Sequence, residues 1–344
     1  MTGSTDMRDP IHLLKDIDLT QARILELLEL ATQLKIAKKQ GTERARLSRN
    51  NIALIFEKPS TRTRSAFEVA AQDQGAGVTY VDPASSHMGV SESVEDTARV
   101  LGRLYDGIAF RGFQQATVET LARYAGVPVW NALTDLWHPT QALADMLTMR
   151  EHAGKPLTEV SVCYLGDGHN NVARSLLMTG ALLGLDVRIA APAVLHPDPA
   201  AVEAAAHAAT RSGGHIMATD DIDSAVRGAD FLYTDVWVSM GEPDSEWDAR
   251  VEALRPFRID ANMLARTGNP KTQFLHCLPS VHDDTTTLGR HLHEQYGLNG
   301  VEVSDDVFRS PRSLVFEQAE NRMHTIKAVL AMSLDPADRR TEGC

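Results

Sequence analysis

Short apolar runs alternate with segments of helical spacing along the whole chain, and that alternation leaves few folds open. Ile52-Ala53-Leu54-Ile55-Phe56 contains no polar residue, as expected of a strand buried on both faces of a parallel sheet. Further strands are expected over Gly77 to Val81, Gly107 to Phe110, Val127 to Asn131, Val160 to Leu165, Asp186 to Ala190, Gly214 to Ala218, Phe231 to Asp235 and around Phe274-Leu275-His276-Cys277. Helices are expected over Thr20 to Lys39, Ser65 to Gln72, Ser93 to Leu104, Gln115 to Ala125, Gln141 to His152, Val172 to Leu183, Pro199 to Ser212 and Val315 to Leu334. Strand and helix alternating through short connections predict an α/β chain with two doubly wound parallel-sheet domains. The turn-rich Gly154-Lys155-Pro156-Leu157 marks the boundary, dividing residues 1–152 from those that follow.

With 344 residues the chain is long enough for two such cores. A formal net charge of -12 argues against nucleic acid as a partner, and makes any anion site a local positive pocket in a negative field. No apolar stretch approaches the roughly 18 residues of a membrane span, and Met1 to Pro10 lacks a signal-peptide core, so no membrane and a cytoplasmic location are expected. Cys163, Cys277 and Cys344 are odd in number and far apart, which disfavours a disulfide framework; neither Cys-x-x-Cys nor His-x-x-x-His spacing suggests a metal. Gly166-Asp167-Gly168 resembles the start of a dinucleotide fingerprint, but Asn171 stands where the third glycine belongs. No cofactor is therefore expected.

The first apolar strand runs into Pro59-Ser60-Thr61-Arg62-Thr63-Arg64 and then a helix. Pro59 fixes φ near the helix start and Ser60 or Thr61 can cap it, so unpaired backbone N–H groups and the positive end of the helix dipole face outward. Such a turn binds phosphate, and two arginines with three hydroxyls add donors to the same spot. A capped helix start with solvated arginines is the plain alternative. The nucleoside-triphosphate loop is absent.

Other polar residues also follow strand ends, where ligands bind in parallel sheets. Arg111, His138 and Gln141 form one set; Arg64, Arg111 and His138 should converge on one crevice, the latter pair donating to an oxygen that gains negative charge. His138, preceding Pro139, could equally be a loop residue bonded to backbone. Asp235-Val236-Trp237-Val238-Ser239-Met240-Gly241 combines a carboxylate suited to an amine with a segment able to close as a lid, although a solvated Asp would read the same. Cys277 sits at a strand end, as a buried inert thiol or as a member of the same cleft. The polar loop Asp82 to Ser93, with His87, is long enough to suggest a role.

Taken together and in chain order, Ser60-Thr61-Arg62-Thr63-Arg64, Phe110-Arg111-Gly112, His138-Pro139-Thr140-Gln141, Asp235 to Gly241 and His276-Cys277-Leu278-Pro279 resemble the carbamoyltransferases of the aspartate/ornithine superfamily, the last two segments its ornithine branch. The resemblance spans residues 10 to 334. It implies an N-terminal domain, 1–152, that binds carbamoyl phosphate; a second, 153–316, that binds ornithine; and a C-terminal segment, 317–344, whose helix returns to the first. Ser60, Thr61, Arg62, Thr63 and Arg64 would hold the phosphate, and Thr63, Arg111 and His138 would polarise the carbamoyl oxygen. Gln141, with the backbone near Cys277 and Leu278, would take the carbamoyl amine, and Arg322 would return to the same site. Asn171, Asp235, Ser239 and Met240 would bind ornithine, with Asp235 and Cys277 near its δ-amine. Arg111, His138, Asp235 and Cys277 would act in catalysis. His87 would reach a neighbouring subunit's site in a homotrimer or a multiple of trimers. The alternatives are a carbamoyltransferase for another amine, such as putrescine or a modified ornithine, and a non-catalytic protein that has kept an anion site.

Overall fold

The computed structural model describes residues 10–82, 88–239 and 242–335. Within them the expected alternation produces two parallel sheets. The first holds β1 (Asn51–Phe56), β2 (Gly77–Val81), β3 (Gly107–Arg111) and β4 (Val129–Leu133) in the order β2-β1-β3-β4, each pairing parallel. The second holds β5 (Ser161–Leu165), β6 (Asp186–Ala190), β7 (His215–Thr219), β8 (Phe231–Thr234) and β9 (Gln273–His276) in the order β7-β6-β5-β8-β9, again parallel. The strands at the middle of each sheet are covered on both faces, which is why β1, β3 and β5 read as largely unbroken apolar runs. In both orders the chain starts inside the sheet, moves to one edge and returns to build the other, so each sheet has a switch point beside its first strand.

Two compact units result. One comprises Leu25–Thr140 with the short segment before Leu19 and the chain from Met323 onward; the other comprises Leu19–Ile24 and Gln141–Arg322. The core of the first is built on Ile55, Ile108, Phe110, Val118 and Leu121. That of the second includes Cys163, Leu232, Phe274 and Val303, with a satellite cluster around Trp237, Trp247 and Leu254. The last helix, Val315–Leu334, delivers Lys327 to the first unit's interior. Its ammonium is fully buried, 2.6 Å from Glu43 and 2.7 Å from Asp73, so its charge is met twice. Ser333 on the same helix accepts from the indole N–H of buried Trp130 at 3.1 Å.

Several boundaries differ from the sequence reading. The helix after β1 begins at Thr61, four residues earlier than expected, because Ser60 caps it. The helix bearing Gln141 likewise begins at Pro139, a residue suited to the first turn. Helices Ala261–Arg266 and Thr287–Tyr296 lie in stretches where the sequence reading expects no helix. His87, Met240 and Cys344 lie outside the described residues.

Candidate active site

In the first unit the site residues are set by the loops that leave β1, β3 and β4. Ser60 is extended (φ -161, ψ 111) and its Oγ accepts from the Thr63 backbone N–H at 3.2 Å. One orphan donor of the helix is thus satisfied, while those of Thr61 and Arg62 precede the first intrahelical bond. Thr63 is buried and its hydroxyl accepts from Arg111 Nη1 at 3.2 Å, which brings the end of β3 to the helix start. His138 is buried too, its Nδ1 3.4 Å from the Thr140 hydroxyl.

Arg64 departs from expectation. Its Nε donates to Glu68 at 2.8 Å and its guanidinium stacks over the Tyr80 ring at 3.8 Å, on the exposed flank of the helix. A carboxylate at i+4 and an aromatic face hold it there, so it does not join Thr63 and Arg111.

The three loops are stitched together by groups that the sequence reading passed over. Lys58 is buried, donates to Asp135 at 2.7 Å and lies over the Phe113 ring at 4.1 Å, thereby joining the turn before Ser60 to the turn before His138. Glu57 accepts from the Phe113 backbone N–H at 3.0 Å. A Cβ on Gly112 would stand 2.2 Å from Glu57 Oε2 and 2.3 Å from the Phe110 ring, so a larger residue where these loops cross would displace the Glu57 carboxylate and the buried Phe110 ring.

In the second unit the loops after β5, β8 and β9 meet at Asp235. This buried carboxylate accepts from the Val236 backbone N–H at 2.8 Å, from the Cys277 thiol at 2.9 Å and from Asn170 Nδ2 at 3.2 Å. Asn170 also caps the helix Asn171–Leu183 and donates to the Tyr164 hydroxyl at 2.8 Å. It is therefore Asn170 that orients Asp235, with Asn171 one residue on, in the first turn. Burial is the main influence on Asp235 and raises its carboxyl above the usual range; His276 and the Cys277 bond oppose it. Burial beside Asp235 also pushes the Cys277 thiol well up, so the sulfur is a neutral donor and not a thiolate nucleophile.

His276 Nδ1 accepts from the Leu278 backbone N–H at 2.8 Å, holding Leu278 at a left-handed φ of 59. Asp235, His276 and Cys277 lie close enough to share a metal ion, yet the Asp235 oxygens and His276 Nδ1 already accept from neighbours. The segment after Asp235 is also anchored. Ser239 N–H donates to Glu242 at 2.6 Å, Glu242 accepts from Arg250 at 2.9 Å, and Arg250 is paired with Asp167.

A final group surrounds Asp145, one helical turn beyond Gln141. Its Oδ1 accepts from Gln141 Nε2 at 2.8 Å and from Gln318 Nε2 at 2.7 Å, and Gln318 in turn accepts from the His276 backbone N–H at 2.9 Å. Arg322 is near enough to favour its charge, and the Tyr233 hydroxyl faces it without a well-formed bond. Burial dominates and lifts the carboxyl to about 7. The i,i+4 spacing of Gln141 and Asp145 is the signal that could have found this pair in the sequence.

The chain that carries these two sets, donors at the strand ends of one sheet and a buried carboxylate at those of the other, matches known proteins along nearly its whole length. Residues 11–151 match the profile described as aspartate/ornithine carbamoyltransferase, carbamoyl-P binding domain, and residues 158–333 match that of the Asp/Orn binding domain. The chain belongs to the aspartate/ornithine carbamoyltransferase family. This carbamoyltransferase is 57% identical over 325 residues to the ornithine carbamoyltransferase of Actinobacillus pleuropneumoniae, covering 94% of this chain and 97% of the relative. It is equally identical, over 317 residues, to a Pseudomonas putida protein named ornithine carbamoyltransferase, catabolic, covering 92% and 94%. Among solved structures it is similar to the ornithine carbamoyltransferase of Pyrococcus furiosus, with 41% identity, a TM-score of 0.86 and coverage of 94% and 97%.

Proposed function

We propose that this family member transfers the carbamoyl group of carbamoyl phosphate to the δ-amine of L-ornithine, giving L-citrulline and phosphate in arginine metabolism. The observation that carries the choice of acceptor is Asp235, a buried carboxylate whose lone pairs face the Cys277 thiol and Asn170. An acceptor of this kind suits an ammonium group and repels a dicarboxylic acceptor such as aspartate. Residues 1–152 bind carbamoyl phosphate in this reading, residues 153–316 bind ornithine, and 317–344 complete the first domain.

The donors of Ser60, Thr61, Arg62 and Thr63 at the helix start hold the phosphate, supported by the cap geometry and the helix dipole. Arg64 has no part in this reading. Arg111, fixed by Thr63, and His138 face the carbamoyl oxygen and stabilise it as it becomes negative. Gln141, the backbone at Cys277 and Leu278, and Arg322 complete that site. Asn171, Asp235, Ser239 and Met240 hold ornithine. Its δ-amine must lose a proton before attack, and an amine of pKa about 10 is scarce as free base at neutrality, so the rate rises toward alkaline pH. The lone pair of that nitrogen forms the new N–C bond as the C–O bond to phosphate breaks, with no covalent enzyme intermediate.

Assembly as a homotrimer, or a multiple of one, in the cytoplasm belongs to the same reading. The helix Val94–Leu104 supports it by exposing Val100 and Leu104 one turn apart. Citrulline formation with ornithine, putrescine and aspartate as competing acceptors tests the activity, and a light-scattering mass tests the assembly. Preference for putrescine or aspartate would reject the assignment of ornithine.

A further inference from the structure

Gln141 is the one amide proposed to meet the carbamoyl nitrogen, and an amide can present either of its ends. Rotation by half a turn exchanges an oxygen acceptor for an NH2 donor of nearly equal size. Only the oxygen end matches the NH2 of a carbamoyl group; the nitrogen end would meet it donor to donor. Something must choose.

We propose that Asp145 makes this choice, as a positioning residue that fixes Gln141 with its oxygen toward the substrate and so selects a carbamoyl group over an acyl group without N–H. Asp145 Oδ1 accepts from Gln141 Nε2 at 2.8 Å and from Gln318 Nε2 at 2.7 Å. That oxygen offers only lone pairs, so both amides must turn their NH2 groups to it. Gln141 Oε1 is thereby directed elsewhere. It is buried, with no partner among the described residues. A buried acceptor left empty is costly, and a ligand that supplies an N–H relieves it while a methyl group does not. The second amide is locked in the same way: Gln318 keeps its own oxygen for the His276 backbone N–H, beside Cys277.

The arrangement does not depend on the charge of Asp145. Its carboxyl sits at about 7, facing Gln141, Gln318, Tyr233, Arg322 and Cys277, and a proton carried on Oδ2 leaves Oδ1 an acceptor. Neutral asparagine can therefore do the same work, whereas an apolar side chain cannot.

This inference rests on the carbamoyl phosphate reading above, and the test separates the two. Dissociation constants of carbamoyl phosphate, acetyl phosphate and inorganic phosphate are measured by calorimetry on the full-length protein and its variants, with citrulline formation by the wild type alongside. The wild type is expected to prefer carbamoyl over acetyl phosphate by at least about tenfold. Asp145→Leu should bring that ratio to near one and leave inorganic phosphate within about twofold, while Asp145→Asn keeps the ratio. Three results overturn the proposal: a ratio that survives Asp145→Leu, an equal loss of all three ligands, or failure of Asp145→Asn to preserve the preference. If Asp145→Leu does not fold, Gln141→Met decides. Loss of the ratio there, with Asp145→Asn retaining it, supports the proposal, and a retained ratio refutes it. A wild type that makes no citrulline sinks the assigned activity instead.

Discussion

The two units solve opposite electrostatic problems by different means. In the function proposed here the first holds an anion, and its donors are backbone N–H groups and a cap that follow from one local turn: Ser60 bonding Thr63 at the head of a helix. In the same proposal the second holds a cation, and its acceptors are carboxylates buried at the end of β8 and along a helix, far from water. Helix N-termini supply partial positive charge without the desolvation of an ion. The loop after β5 likewise leads into a helix N-terminus, at Asn171, so the backbone there offers donors and the acceptors have to be side chains. Full negative charges must then be buried and restrained by partners. Asp235 and Asp145 both show the consequence, with carboxyls raised by burial.

The contrast can be broken most forcefully at Arg111. Arg111→Ala should lower kcat about 100- to 1000-fold, with little change in KM for ornithine, in steady-state kinetics. If KM alone moved, the division between the two units would be wrong.

The next effect is on stability. Asp145 has a folded pKa of about 7 against an ordinary 3.8, so between those values the folded chain keeps a proton that the unfolded chain releases. Its protonated form is fully compatible with folding below about pH 4, and stability is lost as pH rises toward 7, by about 1.4 kcal/mol per unit. Denaturant titrations at pH 5 and pH 7 should show the wild type losing about 2 kcal/mol more than Asp145→Asn between the two pH values. A parallel response of both proteins would mean that the carboxyl is ionised with little penalty.

Asp235→Asn should weaken ornithine by about 30-fold, or about 2 kcal/mol, and leave carbamoyl phosphate untouched in calorimetry. Equal weakening of both ligands would erase the comparison. The smallest effect is expected at Lys58→Met, about 1 kcal/mol of stability by chemical denaturation, because Asp135 is half exposed and solvent screens the pair. A larger loss would show that the loops of the first unit depend on the buried Lys58 ammonium as well as on their backbone donors.

The same contrast governs how much could be read from the sequence. The strands were legible because apolar runs such as Ile52–Phe56 carry their burial with them, and the turn Ser60–Arg64 because a helix cap is local. Arg64 was misplaced by that logic: a run of five donors does not reveal that the fifth residue answers to Glu68 and Tyr80. Asn170 was hidden behind its neighbour Asn171, since either residue could begin the helix. Lys58 with Asp135, and Arg250 with Asp167, were not legible. Each pair is separated by more than seventy positions, and only the packed fold shows which charges meet. Gly166 and Gly168 resembled a dinucleotide turn, and at Gly168 the reason for glycine is packing. A side chain there would strike the Leu195 carbonyl at 2.7 Å.

The last helix carries one more consequence, for biosynthesis. Trp130, Glu43 and Asp73 are made early, yet Ser333, which meets the Trp130 indole N–H, and Lys327, which adds a second partner to each carboxylate, lie on the last described helix. A ribosome still holding that helix leaves the Trp130 indole N–H unmatched, while Asp73 keeps Lys38 and Glu43 keeps Gln74. The unit begun first thus waits for residues translated long afterwards, and a nonsense codon just before Met323 would strip it of Lys327 and Ser333.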